Sequence, residues 1–267
     1  MTDRDIGQEI LAGIREVKAM HRPSSPEFSR QTLIDALHAA FRDDARVLAA
    51  WLEGADAGGW VDAYSDIDFC LSVQPGAMEA VTEVARAALA RLAPLDLDQR
   101  GPTEADFAQT VFHLAGTSPY LLVDFNVYVG RGSSFTENDP IELPLVLFDR
   151  GGLVTFAPPQ FDPAQAAARL AELRQVVAQS ARIEKYILRG DFLEAFGYYH
   201  KWLLMPLIEA LRLRYTPLHP DYYIVHISRH LPPPILARLE RLFQVGSLAE
   251  LAVKRAEALA FFEEIAQ

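Results

Sequence analysis

The sequence holds a single cysteine, Cys70, so no disulfide can form within the chain. No apolar run reaches membrane-spanning length. The first residues, MTDRDIGQEI, lack the basic-then-apolar build of a secretion signal, so a soluble, cytoplasmic chain with no membrane partner is expected. Positive charge is also scarce: 25 Lys and Arg face 36 Asp and Glu, a formal net charge of −11. That balance argues against a nucleic-acid partner, because phosphate backbones are met by basic surface. There is no GxxxxGK[ST] loop, no GxGxxG after a strand and no GxSxG elbow. His226 and His230 stand at i and i+4, but with no HExxH and no thiol cluster they read as surface or packing histidines.

What is present suits a packed protein. Half of the 267 residues are hydrophobic, and the length allows two domains. Charge is unevenly spread: residues 1–150 hold 12 basic against 24 acidic side chains, residues 151–267 hold 13 against 12. An acidic first half suits metal ions or a cationic small molecule, or is simply a solvated surface.

Periodicity predicts helices over residues 5–20 and about Ser29 to Phe41, a helical preface (1–42) to a sheet. Arg46 to Leu52 reads as a short buried strand ending at Gly54. Asp66 to Val73, DIDFCLSV, alternates cleanly, with Ile67, Phe69, Leu71 and Val73 on one face and Asp66, Asp68, Cys70 and Ser72 on the other. Glu79 to Leu92 is helical by period, and Phe107 to Leu114 and Tyr120 to Val129 are two further strands. The segment from Pro140 to Pro163, rich in proline and glycine, reads as a linker or edge element, placed at 151–162. From 163 to 267 the pattern is helical throughout, including a shorter piece at Tyr222 to His230, which predicts a helical bundle. Arg189-Gly190-Asp191 reads as a turn between helices, and Tyr198, Tyr199 and Trp202 as bundle core, with stacking on a base or sugar as the alternative.

The chemistry is concentrated in GADAGGWVDAYSDIDF, Gly54 to Phe69. Residues i and i+2 of a strand project from the same face, so Asp66 and Asp68 point together. Two such carboxylates repel, and one holds a proton unless a cation sits between them. Oxygen-only ligands favour Mg²⁺ completed by substrate phosphates. Asp124 lies mid-strand among Val, Leu and Phe, a costly place for an unpaired acid. If its strand neighbours Asp66 to Val73, the three aspartates converge and can hold two Mg²⁺ ions, with Asp124 best placed to accept a proton from an attacking hydroxyl. Gly54, Gly58 and Gly59 permit tight turns and main-chain N–H bonds to phosphate, so a glycine-rich turn before a metal site reads as a triphosphate cradle. Cys70, on the same strand face, is expected to be an inert thiol.

The order strand, Gly54-Ala55, loop, Ser65-Asp66-Ile67-Asp68, then Asp124 on a later strand resembles the nucleotidyltransferase superfamily typified by DNA polymerase beta. The loop wording and the helical second half look most like bacterial aminoglycoside or lincosamide nucleotidyltransferases and their uncharacterised relatives. The resemblance implies an α/β nucleotidyltransferase domain (1–150, a mixed sheet with flanking helices) followed by an all-α helical bundle (163–267). It implies transfer of a nucleoside monophosphate, most simply from ATP, to a hydroxyl of a small, possibly cationic acceptor such as an aminoglycoside-like antibiotic. On this resemblance Asp66, Asp68 and Asp124 bind metal, Gly54, Ala55 and Ser65 shape the nucleotide site, and the helical half supplies a cation, Lys201 or else Lys185. The chain departs from the pattern in having Gly54-Ala55 where the family has Gly-Ser, and Gly58 where a basic residue is common. The lost hydroxyl raises a rival expectation: a nucleotide-binding regulatory or partner protein of the same fold with impaired turnover.

Overall fold

The structure, a computed structural model, describes residues 29–267. The helix expected over residues 5–20 lies outside the described residues. The chain divides into two units, Met1–Pro159 and Gln160–Gln267.

In the first unit α1 (Arg30–Phe41) starts at Ser29, whose Oγ accepts the Thr32 N–H at 3.2 Å, and it buries Leu33, Ile34, Leu37 and Phe41. The chain continues through β1 (Val47–Leu52), a five-residue helix α2 (Gly54–Gly58), β2 (Ile67–Val73), α3 (Met78–Ala90), β3 (Leu95–Thr103), β4 (Phe107–Leu114), β5 (Val123–Val129), β6 (Ser133–Thr136), β7 (Leu145–Asp149) and β8 (Val154–Ala157). Six strands form one sheet in the order β3-β4-β5-β2-β1-β7; β2 and β5 run parallel and every other neighbouring pair runs antiparallel. A mixed sheet with flanking helices, followed by helical structure, is thus the observed architecture.

The alternation read in β2 determines where it sits. Ile67, Phe69, Leu71 and Val73 are fully buried against α1 and α3, in a core that includes Phe41, Phe112 and Phe125. The Phe41 and Phe125 rings stack with centroids 5.8 Å apart. Each such phenyl contributes about 1.5–3 kcal/mol by leaving water. The opposite face carries Trp51, Cys70 and Tyr128, covered near Phe135 by the separate parallel pair β6-β8.

Four readings of the sequence change here. β3 was not anticipated: LDLDQRGPT is largely exposed and contains Gly101 and Pro102, as an edge strand permits but a hydrophobic pattern does not reveal. The expected linker at 151–162 contains β8. Gly54 to Gly58 form a single short helix rather than an open turn, ended by Gly59 at φ +70°. Residues 222–230 are not one helix either; Tyr223 and His226 take positive φ, 47° and 50°, and only Ile227–His230 forms a helical turn.

The second unit contains α4 (Pro163–Val177), α5 (Ala181–Arg189), α6 (Phe192–Tyr199), a π-helical turn at His200–Leu204, α7 (Met205–Tyr215), α8 (Pro233–Phe243) and α9 (Leu248–Ile265). Gly190 at φ +82° ends α5, which confirms a turn at Arg189-Gly190-Asp191. Its core joins Tyr199, Leu203, Leu207, Leu211, Phe261 and Phe262. Arg212 is fully buried within it, donating to the Tyr223 carbonyl at 2.9 Å and to His230 Nδ1 at 2.7 Å. Among the described residues no helix is long and apolar enough to cross a membrane.

Candidate active site

The parallel register of β2 and β5 pairs Asp68 with Asp124, flanked by Ile67 with Val123 and Phe69 with Phe125. Because the flanking residues all point into the core, both aspartates project from the opposite face, one strand spacing of about 4.8 Å apart. Asp66, directly ahead of β2, extends the same face by one pleat. The three acids named from the sequence therefore lie on one face of the sheet, although among the described residues their carboxylate oxygens are not all within 4.8 Å of one another.

Their charges act on one another. Burial raises the Asp68 carboxyl to about 7, with the charges of Asp66, Asp124 and Glu53 adding to the rise and Arg30 opposing it. Asp124 is raised as well, first by burial and then by Asp66. Among the described residues, no lysine, arginine or histidine forms an ion pair with any of the three.

The nearby guanidinium has other partners. Arg30, first residue of α1, donates Nε–H to Asp56 Oδ1 at 2.8 Å and Nη1–H to the Ser65 carbonyl at 2.8 Å, while Nη2 bonds Asp56 Oδ2 and the Asp66 carbonyl. One side chain thus ties α1, α2 and the entry to β2 together, reaching Asp66 at its carbonyl and not at its carboxylate. Within the loop the Ser65 hydroxyl donates to Asp62 Oδ1 and accepts the Asp62 N–H, both at 3.0 Å. Ser65 shapes the loop through that turn.

Gly54 and Asp68 are in close contact. Gly54 has φ +60°, and a β-carbon there would lie 2.2 Å from Asp68 Oδ2. The neighbouring Glu53 N–H donates to the Asp68 carbonyl at 3.1 Å, which fixes the approach. Ala55 is 2% exposed, backbone included, and its carbonyl accepts the Trp60 N–H at 3.2 Å. Further along the same face lies a group around Cys70 of which sequence reasoning named only the thiol. Trp51 Nε1–H donates to Glu53 Oε1 at 2.7 Å, and the Asn126 amide reaches the buried Cys70 Sγ at 3.9 Å. Burial, then Glu53 and Asp68, hold the thiol well above its ordinary value, so it stays protonated and inert as expected. No motif marks Arg30, Glu53 or Trp51; the one available signal was the period of two, which puts Trp51 and Glu53 on the same side of β1.

Lys201 is exposed in the second unit, where its Nζ lies 4.9 Å from the centre of the Trp202 ring.

No protein-family model matches the chain, and no curated protein matches it. Solved structures do match. An aminoglycoside 6-adenyltransferase from Bacillus subtilis is 14% identical, with 90% of this chain and 89% of that one covered at a TM-score of 0.38. A CdnE cyclic dinucleotide synthase from Elizabethkingia meningoseptica is 15% identical over 94% and 96% at 0.31, and a GLD-2/RNP-8 complex is 12% identical over 85% and 69% at 0.28. All three TM-scores lie below 0.5, so what the site does is read from its own carboxylates.

Proposed function

We propose that the chain transfers a nucleoside monophosphate, most simply AMP from ATP, to a hydroxyl of a small molecule and releases pyrophosphate. The observation that supports this is the placement of Asp66, Asp68 and Asp124 on one face of neighbouring parallel strands, without a paired cation among the described residues.

The donor set fits divalent ions. It offers carboxylate oxygens only, it concentrates negative charge, and it keeps a proton on Asp68 near neutrality in place of a cation. Asp66 and Asp68 would hold two Mg²⁺ ions, with Asp124 completing the second. Bound there, the ions would offset triphosphate charge and lower the pKa of the acceptor hydroxyl.

The remaining roles belong to the chain itself. Gly54 leaves room for the Asp68 carboxylate, and its N–H is the backbone donor for a phosphate oxygen. Asp124, whose raised pKa makes it a better base than an exposed aspartate, takes the hydroxyl proton. The acceptor oxygen forms a bond to the α-phosphorus, the α–β anhydride bond breaks, and pyrophosphate leaves with the bonding pair. The acidic balance of residues 1–150 suits an acceptor bearing amines.

Purified protein given labelled ATP, Mg²⁺ and a panel of hydroxylated amines tests the reading. Pyrophosphate release abolished by Asp66→Asn is the expected result. Saturable nucleotide binding with no release across the panel would instead establish the regulatory alternative raised by Ala55.

A further inference from the structure

Residues 216–231 connect α7 to α8 and are gathered around one side chain. Arg212 of α7 is fully buried and donates to the Tyr223 carbonyl at 2.9 Å, to the Val225 carbonyl and to Thr216 Oγ1 at 3.4 Å. Its remaining contact is His230 Nδ1 at 2.7 Å. Among the described residues neither Arg212 nor His230 pairs with a carboxylate. The buried charge is therefore met by the carbonyls of this segment, one hydroxyl and one imidazole nitrogen.

That nitrogen has a fixed chemical state. A guanidinium only donates, so Nδ1 must accept, and the ring is neutral with its proton on Nε2. A proton added to Nδ1 sets two positive N–H groups against each other, and turning the ring does not help, because both nitrogens of an imidazolium donate. The other histidine contact of the segment lacks this constraint: the Tyr223 hydroxyl, 2.6 Å from His200 Nε2, donates to a neutral ring and accepts from a charged one.

The same segment is strained. Tyr223 and His226 hold φ at 47° and 50°, a region that non-glycine residues keep only while their surroundings impose it. Ile224 and Val225 between them are 53% and 51% exposed, so little burial holds this stretch down. The charged and titratable groups that face His230 are Arg212 from α7 and His226, His219 and Arg229 from the segment itself, the His226 ring lying 6.3 Å away. Burial first, and then these four, keep the His230 imidazole below its ordinary value.

We propose that residues 216–231 are an acid-released strap: protonation of His230 breaks its bond to Arg212, and the stretch from Tyr223 to His230 opens into solvent, relieving the strain at Tyr223 and His226. His230 is half-buried at the end of the strap and can reach water, whereas Arg212 cannot. The sign follows from linkage. The closed strap binds the proton less well than the open one, so opening is suppressed above about pH 6.5 and grows as pH falls below it, by at most about tenfold per pH unit, until the closed form itself takes the proton. The inference does not depend on the aspartates, and Asp68 titrates with the opposite sign, stabilising its own unit as pH falls.

The test is hydrogen–deuterium exchange of the full-length protein from pH 7.5 to 5.0, with each rate divided by the intrinsic rate at that pH. The amides of Val225, Ile227, Arg229 and Leu231, bonded to carbonyls within the strap, report its opening. Their protection should fall at least about fivefold across this range while that of α7 stays constant. His230→Gln, whose amide oxygen accepts the Arg212 N–H without titrating, should remove the dependence; His226→Asn, a residue suited to positive φ, should keep it. Carbon-13 NMR titration of the His230 ring in the wild type should give a midpoint below about 6.5, and it decides the matter if the glutamine variant fails to fold. Strap protection independent of pH, a dependence that survives in folded His230→Gln, or a His230 midpoint at or above the ordinary value would overturn the proposal.

Discussion

Gly54 lies against the carboxylate of Asp68 so closely that a β-carbon on the glycine would fall 2.2 Å from Oδ2. With φ at +60°, Gly54→Ala adds backbone strain of about 1 kcal/mol or more to a clash that only movement of the acid can relieve. The variant should lose stability by about 1–3 kcal/mol in urea denaturation, and any pyrophosphate release should fall by at least about a hundredfold. Gly59→Ala is the control: it has φ +70° but no atom within 4 Å of the added carbon, so it should carry the strain without the loss of activity.

The shared site also fixes a pH dependence. The Asp68 carboxyl is held at about 7 when folded and near 3.9 when unfolded, so between those values the folded chain keeps a proton that the unfolded chain releases. Stability of the metal-free protein is therefore greatest below pH 4 as far as this group is concerned, and is lost as pH rises through 7, by on the order of 2–4 kcal/mol. Thermal melting in EDTA from pH 4.5 to 8 measures it. Asp68→Asn should flatten this slope and melt at a higher temperature than wild type at pH 8, and Mg²⁺ should raise the wild-type melting temperature at pH 8 more than at pH 5.

Much of this arrangement was legible because burial leaves a period. Ile67, Phe69 and Val123, Phe125 marked core faces, so the opposite positions Asp66, Asp68 and Asp124 had to share a side once the strands were adjacent. Adjacency itself was not legible: β2 and β5 are separated in sequence by α3, β3 and β4, and strand order is a tertiary outcome. β3 and β8 were missed because edge and short strands bury too little to leave a hydrophobic pattern. Arg30 was missed because its partners, Asp56, Ser65 and Asp66, are 26 to 36 residues away and follow no local rule.

The Arg30 clasp carries its own expectation. Its side chain is 14% exposed and that of Asp56 9%, so Arg30→Met would strand a nearly buried carboxylate and two carbonyls. A loss of about 3 kcal/mol is expected by denaturant titration, with proteolysis accelerated between α2 and β2. The double variant Arg30→Met/Asp56→Leu should recover part of that loss, since the unpaired charge is then removed. If the single and double variants melted alike, the clasp would contribute packing rather than charge neutralisation.

The neighbours of Asp68 can also be ranked. Their contributions to its raised pKa fall in the order Asp66, Asp124, Glu53, after the larger effect of burial. Replacing each acid by its amide removes one charge while keeping the volume, and Glu53→Gln still offers a carbonyl oxygen to Trp51 Nε1–H. Each replacement should move the midpoint of the pH-dependent stability loss downward, Asp66→Asn furthest and Glu53→Gln least, in metal-free melts or by carboxyl NMR titration of Asp68. Arg30→Met should move it the opposite way, because the guanidinium favours the charged form. An Asp68 midpoint unmoved by Asp66→Asn would mean that burial alone raises it, and the three carboxylates would then stand too far apart to share an ion.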